Sequence, residues 1–231
     1  MRNKTGSKFK AVVFDLDGTL VDSAPDLQAA INRMLALTGR QKLSVDAVTG
    51  MIGDGVPKLV ERALEASGGI PDGNAVEMLA GSLSKFIDEY NGRNAELTKP
   101  YPGVAETLAK LRKAGFAMAV CTNKPQAATM EILEAFDLAR YFNAALGGDA
   151  LEGIRKPDPK HLIATLDALG TAPAEAVMVG DHLNDLACAR AAGSPAVLCS
   201  YGYSRVPVTE LGADVVIDEF NKLPDALASL S

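Results

Sequence analysis

Two carboxylates stand two positions apart at the point where an apolar run of the sequence ends. Asp15 and Asp17 follow Val12-Val13-Phe14, and Gly18 comes directly after them. Because side chains at i and i+2 share one face of a strand, the two carboxylates are expected to converge. Their charges would repel by about 4 kcal/mol at contact distance and an effective dielectric of 20. The pair therefore predicts a bound cation, a proton or a chemical use, with a simple Asp-Gly turn as the alternative.

Two later segments carry groups that could bind a phosphate. Thr122 and Asn123 directly follow the apolar run 119–121, and a hydroxyl and an amide there can hydrogen-bond phosphate oxygens beside a helix start. Thr122 could equally be the N-cap of that helix. Lys156 lies in a turn stiffened by two prolines, from which it could neutralise both a phosphate and Asp15. An ordinary exposed lysine is the alternative.

A second pair of acids follows the apolar run 177–180. Asp181 ends the run and Asp185 comes four residues later, which is about one turn of a helix. Oxygen ligands at this spacing suit Mg²⁺, although one of the two carboxylates could instead cap the helix. His182 is interpreted as a loop residue and not as a catalyst. Because ligands bind at the carboxyl edge of a parallel sheet, all these groups are predicted to form one site.

The elements that must position these residues alternate between strands and helices. Strands are predicted at 11–14, 116–121, 143–146, 177–180, 196–198 and 214–217, and helices at 104–114, 126–136, 159–169 and 184–192. Such alternation predicts an α/β fold with a doubly wound, mainly parallel, Rossmann-like sheet. A final amphipathic helix is expected near residues 220–230.

The segment between the first two strands is predicted to be a small helical cap domain inserted into the sheet. Residues 21–92 show helical periodicity, which leaves 1–20 and 93–231 as the catalytic core. One predicted stripe that faces the core of the cap consists of Val76, Leu79, Leu83, Phe86, Ile87 and Tyr90. The glycine-rich turn around Gly53 could offer N–H groups to a substrate carboxylate, with Lys42, Lys58 or Arg62 adding charge. The alternative is an ordinary interhelical turn beside a solvated basic face.

Composition limits the classes of partner. The 231 residues carry a net charge of −6 with 48% hydrophobic residues, which argues against nucleic acid or an anionic membrane as a partner. Three scattered cysteines favour a reducing compartment over a disulfide framework. The polar start lacks the apolar region of a signal peptide. We therefore expect a cytoplasmic monomer or homodimer that acts on a small molecule.

Taken together, these segments resemble the haloacid dehalogenase superfamily of phosphotransferases. The matching residues are Asp15-Leu16-Asp17-Gly18-Thr19-Leu20-Val21-Asp22-Ser23, Thr122-Asn123, Lys156-Pro157, and Gly180-Asp181 through Asp185. The four motifs stand in the family's order and cover the whole core, and the helical insertion is similar to the family's small cap. Within the superfamily the chain is most similar to phosphoglycolate phosphatases.

The resemblance implies a role for each matched residue. Asp15 would be the nucleophile that forms an aspartyl-phosphate, and Asp17 would protonate the leaving alkoxide and then activate water, while its backbone carbonyl binds Mg²⁺. Asp15 and Asp181 would bind the metal through their carboxylates, and Asp185 would be a further ligand or would support the ligands from the outer shell. The phosphoryl group would be held by Thr122, Asn123 and Lys156.

The resemblance to phosphoglycolate phosphatases depends on matches in the cap and in later loops. They are Asp22-Ser23, the segments 48–55 and 59–64, Tyr101-Pro102-Gly103-Val104 and Tyr201-Gly202-Tyr203, whereas His182 departs from the small hydroxyl residue often found there. Asp17 argues against dehalogenation and phosphonate cleavage, because those branches lack this acid. A phosphatase for another small ester such as a sugar phosphate, a phosphomutase, and a phospho-accepting signalling module remain alternatives.

Overall fold

Six parallel strands form the main sheet in the part of the chain that the computed structural model describes, residues 7–71 and 73–231. They are β1 (Ala11–Phe14), β4 (Ala117–Cys121), β5 (Ala144–Leu146), β6 (Ala176–Gly180), β7 (Ala196–Cys199) and β8 (Val215–Ile217). Their spatial order is β5-β4-β1-β6-β7-β8. The first six residues of the predicted core segment 1–20, and Asp72 of the predicted cap, lie outside the described residues.

Helices cover both faces of this sheet, which confirms the predicted doubly wound α/β class. The core helices are α5 (Val104–Ala114), α6 (Gln126–Ala135), α7 (Pro159–Asp167), α8 (Leu183–Ala192) and α9 (Leu223–Ser229). Alternate residues of β1 face opposite layers. Phe14 packs in one cluster with residues of α5 and α9, and Val13 packs in the other with residues of α7 and α8.

The predicted strand and helix bounds agree with the structure to within one or two residues. Phe116 was predicted to begin a strand, but its N–H donates to the carbonyl of Leu111, across the left-handed Gly115 that ends α5. Phe116 therefore belongs to the helix cap, and β4 begins at the next residue. Within the described residues, no helix has both the length and the apolar character needed to cross a membrane.

The described residues of the inserted segment form four helices between two short strands. The helices are α1 (Ala24–Leu37), α2 (Val45–Thr49), α3 (Val56–Ala66) and α4 (Ala75–Tyr90), and the strands β2 (Val21–Asp22) and β3 (Lys99–Pro100) pair in antiparallel fashion. The chain therefore leaves and re-enters the core through one two-stranded connection. The boundary of the cap at 21–92 stays a prediction.

The predicted apolar stripe on α4 is only partly buried. Phe86 and Tyr90 lie in the core of the cap, with ring centroids 5.2 Å apart. Val76 is 84% exposed and Ile87 is 41% exposed, so their assignment to the cap core was wrong. Periodicity shows which residues share a helix face, but it does not show how far along the helix the packing partners extend.

Candidate active site

The first strand and its two neighbours in the sheet end in the same place. β1 lies between β4 and β6, and the chain continues from these strands into Asp15, Thr122 and Asp181 respectively. All three line one cavity between the core and the cap, together with Asp17, Asn123, Lys124 and His182 on the core side. The topology thus brings together the groups that the sequence placed at strand ends.

Three buried carboxylates form the centre of the site. Asp15, Asp181 and Asp185 each offer an oxygen atom, and these oxygens lie within 4.8 Å of one another. Burial raises the pKa of Asp15, and the negative charge of Asp185 raises it further. The positive charge of Lys156 opposes this rise without cancelling it. Burial, then the charges of Asp185 and Asp15, raise the pKa of Asp181 well above its usual value. The raised pKa values show that negative charge on these carboxylates is unfavourable at such close range, and a divalent cation with oxygen ligands would favour their ionised form.

Lys156 connects the nucleophile candidate to the acidic cluster. Its Nζ lies 2.9 Å from Oδ1 of Asp15 and 2.7 Å from Oδ1 of Asp185, and its side chain is buried. Burial alone would lower the pKa of Lys156, but the charges of Asp15 and Asp185 outweigh it and raise the pKa. The ammonium group is therefore charged, and it lies beside the carboxylate of Asp15.

Asp185 both faces the cluster and caps its own helix. One of its oxygens accepts hydrogen bonds from the N–H groups of Asp181 and His182, and His182 is the N-cap of α8. Asp185 therefore caps its helix, which was one of the two alternatives, and its role as a metal ligand stays a prediction. Gly180 makes this capping possible, because a Cβ atom there would collide with the side chain of Asp185.

Asp181 is held by residues from two other segments. Its Oδ1 accepts a hydrogen bond from the Thr19 hydroxyl at 3.1 Å, and its Oδ2 accepts one from the N–H of Tyr203 at 2.6 Å. Gly202 precedes Tyr203, and a Cβ atom at Gly202 would collide with the side chain of Asp181. The carboxylate is therefore fixed in orientation.

Asp17 has different partners from those of Asp15. Its Oδ1 accepts a hydrogen bond from the Ser23 hydroxyl at 2.5 Å and lies 3.0 Å from Nζ of Lys124. The carboxylate of Asp17 is outside the three-carboxylate cluster, although both aspartates line the cavity. The assignment of a metal-binding role to the Asp17 backbone carbonyl stays a prediction.

Lys124 and Tyr90 are site residues that the sequence analysis missed. Lys124 is buried, and its Nζ donates a hydrogen bond to the Tyr90 hydroxyl at 2.6 Å in addition to its contacts with Asp17. Burial raises the pKa of Tyr90 to about 12, so the hydroxyl stays protonated. The position of Lys124 directly after Thr122-Asn123 was the one available signal, whereas Tyr90 carried only a signal for packing.

Thr122 and Asn123 lie at the predicted place but already have protein partners. The Thr122 hydroxyl oxygen accepts a hydrogen bond from the N–H of Lys124 at 3.2 Å, and α6 begins later with Pro125 at its N-cap, so Thr122 does not cap α6. The Asn123 amide donates to the carbonyls of Gly53 at 3.0 Å and Lys156 at 2.9 Å. Asn123 therefore joins the cap loop to the turn that carries the active-site lysine.

The cap loop that contains Gly53 lies against the core. Gly53 has a φ of +114°, and a Cβ atom there would stand 3.1 Å from the ring of His182, so a side chain would press on the opposite wall of the cavity. The Asn184 amide donates to the Gly53 carbonyl at 3.1 Å and to Asp54 at 2.7 Å. The loop is thus seated on the first turn of α8.

Arg62 lies away from the position expected of a substrate ligand. Its guanidinium is 2.6 Å from Oδ2 of Asp54 and donates to the Met51 carbonyl, and the described lining of the cavity does not include Arg62. Arg205 of the core contacts the same Asp54 oxygen at 2.9 Å. Hydrogen bonds from Asn184, Arg205 and Arg62 outweigh burial and hold the pKa of Asp54 below its usual value. Arg62 therefore stabilises the conformation of the cap loop through its contacts with Asp54 and Met51.

His182 is a cavity residue and a helix cap. Its Nδ1 accepts a hydrogen bond from the N–H of Asn184 at 3.3 Å, and burial lowers its pKa. The side chain is therefore neutral near pH 7. This placement gives His182 a structural role at the start of α8, in agreement with its interpretation as a loop residue.

The fold and these four motifs define the class of protein. A family model described as haloacid dehalogenase-like hydrolase matches residues 12–199. The chain belongs to this family, and the predicted resemblance and the predicted class of enzyme, a phosphatase, are confirmed.

Its relatives point to one group within the family. The chain is 43% identical to a phosphoglycolate phosphatase of Caulobacter vibrioides over 95% of this chain and 91% of that one. It is 44% identical to a phosphoglycolate phosphatase of Cereibacter sphaeroides over 95% and 98% of the two chains. Among solved structures, a predicted phosphoglycolate phosphatase from Haemophilus somnus superposes with a TM-score of 0.88 at 31% identity, covering 95% of this chain and 98% of that one.

Proposed function

We propose that this phosphatase hydrolyses 2-phosphoglycolate to glycolate and phosphate, with Mg²⁺ as cofactor and an aspartyl-phosphate on Asp15 as intermediate. The observation that carries the proposal is the buried contact between Asp15 and Lys156 beside two further carboxylates. The names of the relatives supply the choice of substrate.

The charges at the site support a divalent cation. Among the described residues, four carboxylates of the site, those of Asp15, Asp17, Asp181 and Asp185, stand against two ammonium groups. Lys124 contacts Asp17, and Lys156 contacts Asp15 and Asp185. With all four carboxylates ionised, two negative charges would be left over in a buried site, where uncompensated charge is costly. Carboxylates of Asp15, Asp181 and Asp185 are hard oxygen donors and fit Mg²⁺. When bound, the ion would screen the charge of the phosphate from the attacking carboxylate.

The residues of the chain divide the remaining chemistry. The Asp15 carboxylate attacks phosphorus, and Lys156 offsets the charge that repels the phosphate dianion. Asp17 gives a proton to the leaving alcohol oxygen and later takes one from the attacking water. Asn123 keeps the turn of Lys156 against the cap loop, which limits access of bulk water while the phosphoryl group is transferred.

The shape of the cavity favours a compact substrate. It has about 40 Å³ of free space, and on this scale roughly 10–15 Å³ holds one water molecule. The cap side of the cavity is apolar and includes Ile52, Val56 and Leu59. The hydroxyl groups of a sugar phosphate would lose their hydrogen bonds against these side chains. The carboxylate of a two-carbon phospho-acid needs only hydrogen-bond donors, and the N–H groups of the loop that enters α3 would supply them.

A phosphate-release panel tests this proposal. Purified protein with Mg²⁺ is offered 2-phosphoglycolate, sugar phosphates, pyrophosphate and nucleotides, and Asp15→Asn provides the background. We expect kcat/KM for 2-phosphoglycolate to exceed kcat/KM for each other compound at least about tenfold. The reason is that a competitor whose hydroxyl groups lose their hydrogen bonds against the apolar wall binds less favourably by about 1–3 kcal/mol. Equal kcat/KM values across the panel would contradict the assignment of 2-phosphoglycolate as the substrate. An isomer of the phosphate ester as product would indicate a phosphomutase.

A further inference from the structure

Lys124 lies inside the cavity but makes contacts that a phosphate-binding lysine does not need. Its Nζ lies 3.0 Å and 3.2 Å from the two carboxylate oxygens of Asp17 and 2.6 Å from the Tyr90 hydroxyl. The contacts of Lys156 with Asp15 already place one ammonium group beside the nucleophile. The second lysine is therefore directed at the acid–base residue.

Tyr90 brings the cap into this contact. It is the last residue of α4, its ring stacks on Phe86 in the core of the cap, and it is 3% exposed. Lys124 belongs to the core, in the turn that follows β4. The hydrogen bond between Lys124 and Tyr90 thus joins the two parts of the molecule across a buried boundary.

Asp17 is held by residues from two separate segments of the chain. The Ser23 hydroxyl donates to one of its oxygens from the start of α1, and Lys124 contacts both oxygens from the end of β4. A carboxylate that has just given up its proton needs a nearby cation to stabilise the charge that it acquires. Lys124 is the cation in contact with it.

We propose that Lys124 and Tyr90 are positioning residues for Asp17, and that they make its placement depend on the seating of the cap. The inference rests on the acid–base role of Asp17 in the proposed function. As the bond between phosphorus and the alcohol oxygen breaks, that oxygen keeps the electron pair and takes the proton of Asp17. Lys124 keeps its own protons and holds the resulting carboxylate, while the Tyr90 hydroxyl oxygen accepts a hydrogen bond from Lys124 and limits its movement.

The dependence of rate on the leaving group tests this role. For wild type and Lys124→Met, kcat/KM is measured with Mg²⁺ over a series of aryl phosphates, from phenyl phosphate with its poor leaving group to p-nitrophenyl phosphate with its good one. The step reported by kcat/KM ends when the alcohol leaves, and a good leaving group departs without a proton. We expect a loss of about 10–100-fold for phenyl phosphate, which is part of the roughly 10²–10⁴-fold that acid–base catalysis contributes as a whole, and a loss of less than about threefold for p-nitrophenyl phosphate.

Two further variants separate positioning from damage to the fold. Tyr90→Phe keeps the ring on Phe86 and removes only the hydroxyl, and we expect the same pattern with a smaller loss. Tyr141→Phe removes a hydroxyl that bonds to Arg140 far from the cavity, and we expect it to match wild type. Thermal melting of each variant shows whether it folds.

The outcomes distinguish this inference from the proposed function. Equal losses across the aryl series, or no loss in either variant, would overturn the positioning role. A loss confined to 2-phosphoglycolate would overturn it as well, because Lys124 would then bind the substrate carboxylate. If the wild type hydrolysed the aryl phosphates but not 2-phosphoglycolate, the substrate assignment would be overturned and the aryl series would still test the positioning role. If the wild type hydrolysed no phosphate ester, both the proposed function and the positioning role would be overturned.

Discussion

The Nζ atom of Lys156 lies 2.9 Å from Oδ1 of Asp15, and both side chains are buried at the carboxyl edge of the sheet. Asp15 ends one strand of the sheet, whereas Lys156 comes from a turn more than a hundred residues later. The contact places a fixed positive charge beside the carboxylate that is proposed to attack a phosphate dianion. The ammonium group of Lys156 thus offsets part of the repulsion between the attacking carboxylate and the phosphate dianion.

Replacing Lys156 should affect both rate and stability. We expect Lys156→Met to lower kcat by about 10²–10³-fold, the usual effect of removing one preorganised electrostatic partner. It should also lower the free energy of unfolding by about 3–5 kcal/mol, because Asp15 and Asp185 lose their partner in a buried site. Lys222→Met removes an exposed lysine that pairs with Asp218 and should change neither quantity measurably. Phosphate release and urea unfolding give the two values; unchanged kcat in a folded variant would contradict the role.

Binding of Mg²⁺ should be visible without any substrate. At a concentration 100 times its dissociation constant, a ligand of the folded state stabilises a protein by about 2.7 kcal/mol. We expect Mg²⁺ to raise the melting temperature of the wild type and EDTA to reverse the rise. Asp181→Asn should abolish most of this response, whereas Asp218→Asn, at an exposed position, should retain it. An equal response in both variants would place the ion elsewhere.

Two glycines should respond in opposite ways to the same added methyl group. At Gly202 a Cβ atom would collide with Asp181, so we expect Gly202→Ala to lower the free energy of unfolding by about 1–3 kcal/mol. It should also weaken the thermal response to Mg²⁺. Gly81 lies exposed within α4 with open space around it, and Gly81→Ala should raise the free energy of unfolding by about 0.5–1 kcal/mol. Denaturant unfolding measures both; a neutral Gly202→Ala would show that Asp181 is less constrained than its contacts indicate.

The parts of the fold that could be predicted are those with local signals. Each core strand is a short apolar run bounded by polar or turn residues, so β1, β4 and β6 and the polar residues that follow them were recognisable. Parallel topology then brings their ends together, which is why the cluster of Asp15, Asp181 and Asp185 could be anticipated.

The contacts between the cap and the core could not be predicted, because they join residues far apart in the sequence. Arg205 reaches Asp54 across 151 positions, and Lys124 reaches Asp17 across 107. The sequence around a charged residue does not show which partner its side chain contacts or whether the side chain is buried. Arg62 was therefore offered as a candidate substrate ligand without any sign of its contact with Asp54, and Lys124 was overlooked beside Thr122. Binding of the substrate by Arg62 stays a prediction.

His161 should make stability depend on pH. It is fully buried in α7, and burial lowers its pKa to about 4, from an ordinary value near 6.5 in the unfolded chain. Between these values the unfolded state binds the extra proton, so stability rises with pH and is lost as the pH falls from about 6.5 to 4. The contribution approaches about 1.4 kcal/mol per pH unit within this window.

The slope, rather than the stability itself, identifies the histidine. We expect the difference in unfolding free energy between wild type and His161→Asn to change with pH below about 6.5 and to be flat above it. His182→Asn measures separately the contribution of the other histidine, whose pKa is also lowered by burial. Denaturant melts at several pH values measure the difference. A difference that is constant between pH 4.5 and 7.5 would show that His161 titrates normally in the folded state.

The central claim, that Asp15 accepts the phosphoryl group, is tested most directly by trapping it. Wild type with Mg²⁺ and 2-phosphoglycolate is quenched in acid within one turnover, and the mass of the intact chain and of its peptides is measured. The account predicts one phosphoryl group on Asp15, none on the Asp15→Asn variant, and no turnover by that variant. A phosphoryl group on another residue, or full turnover by Asp15→Asn, would contradict it.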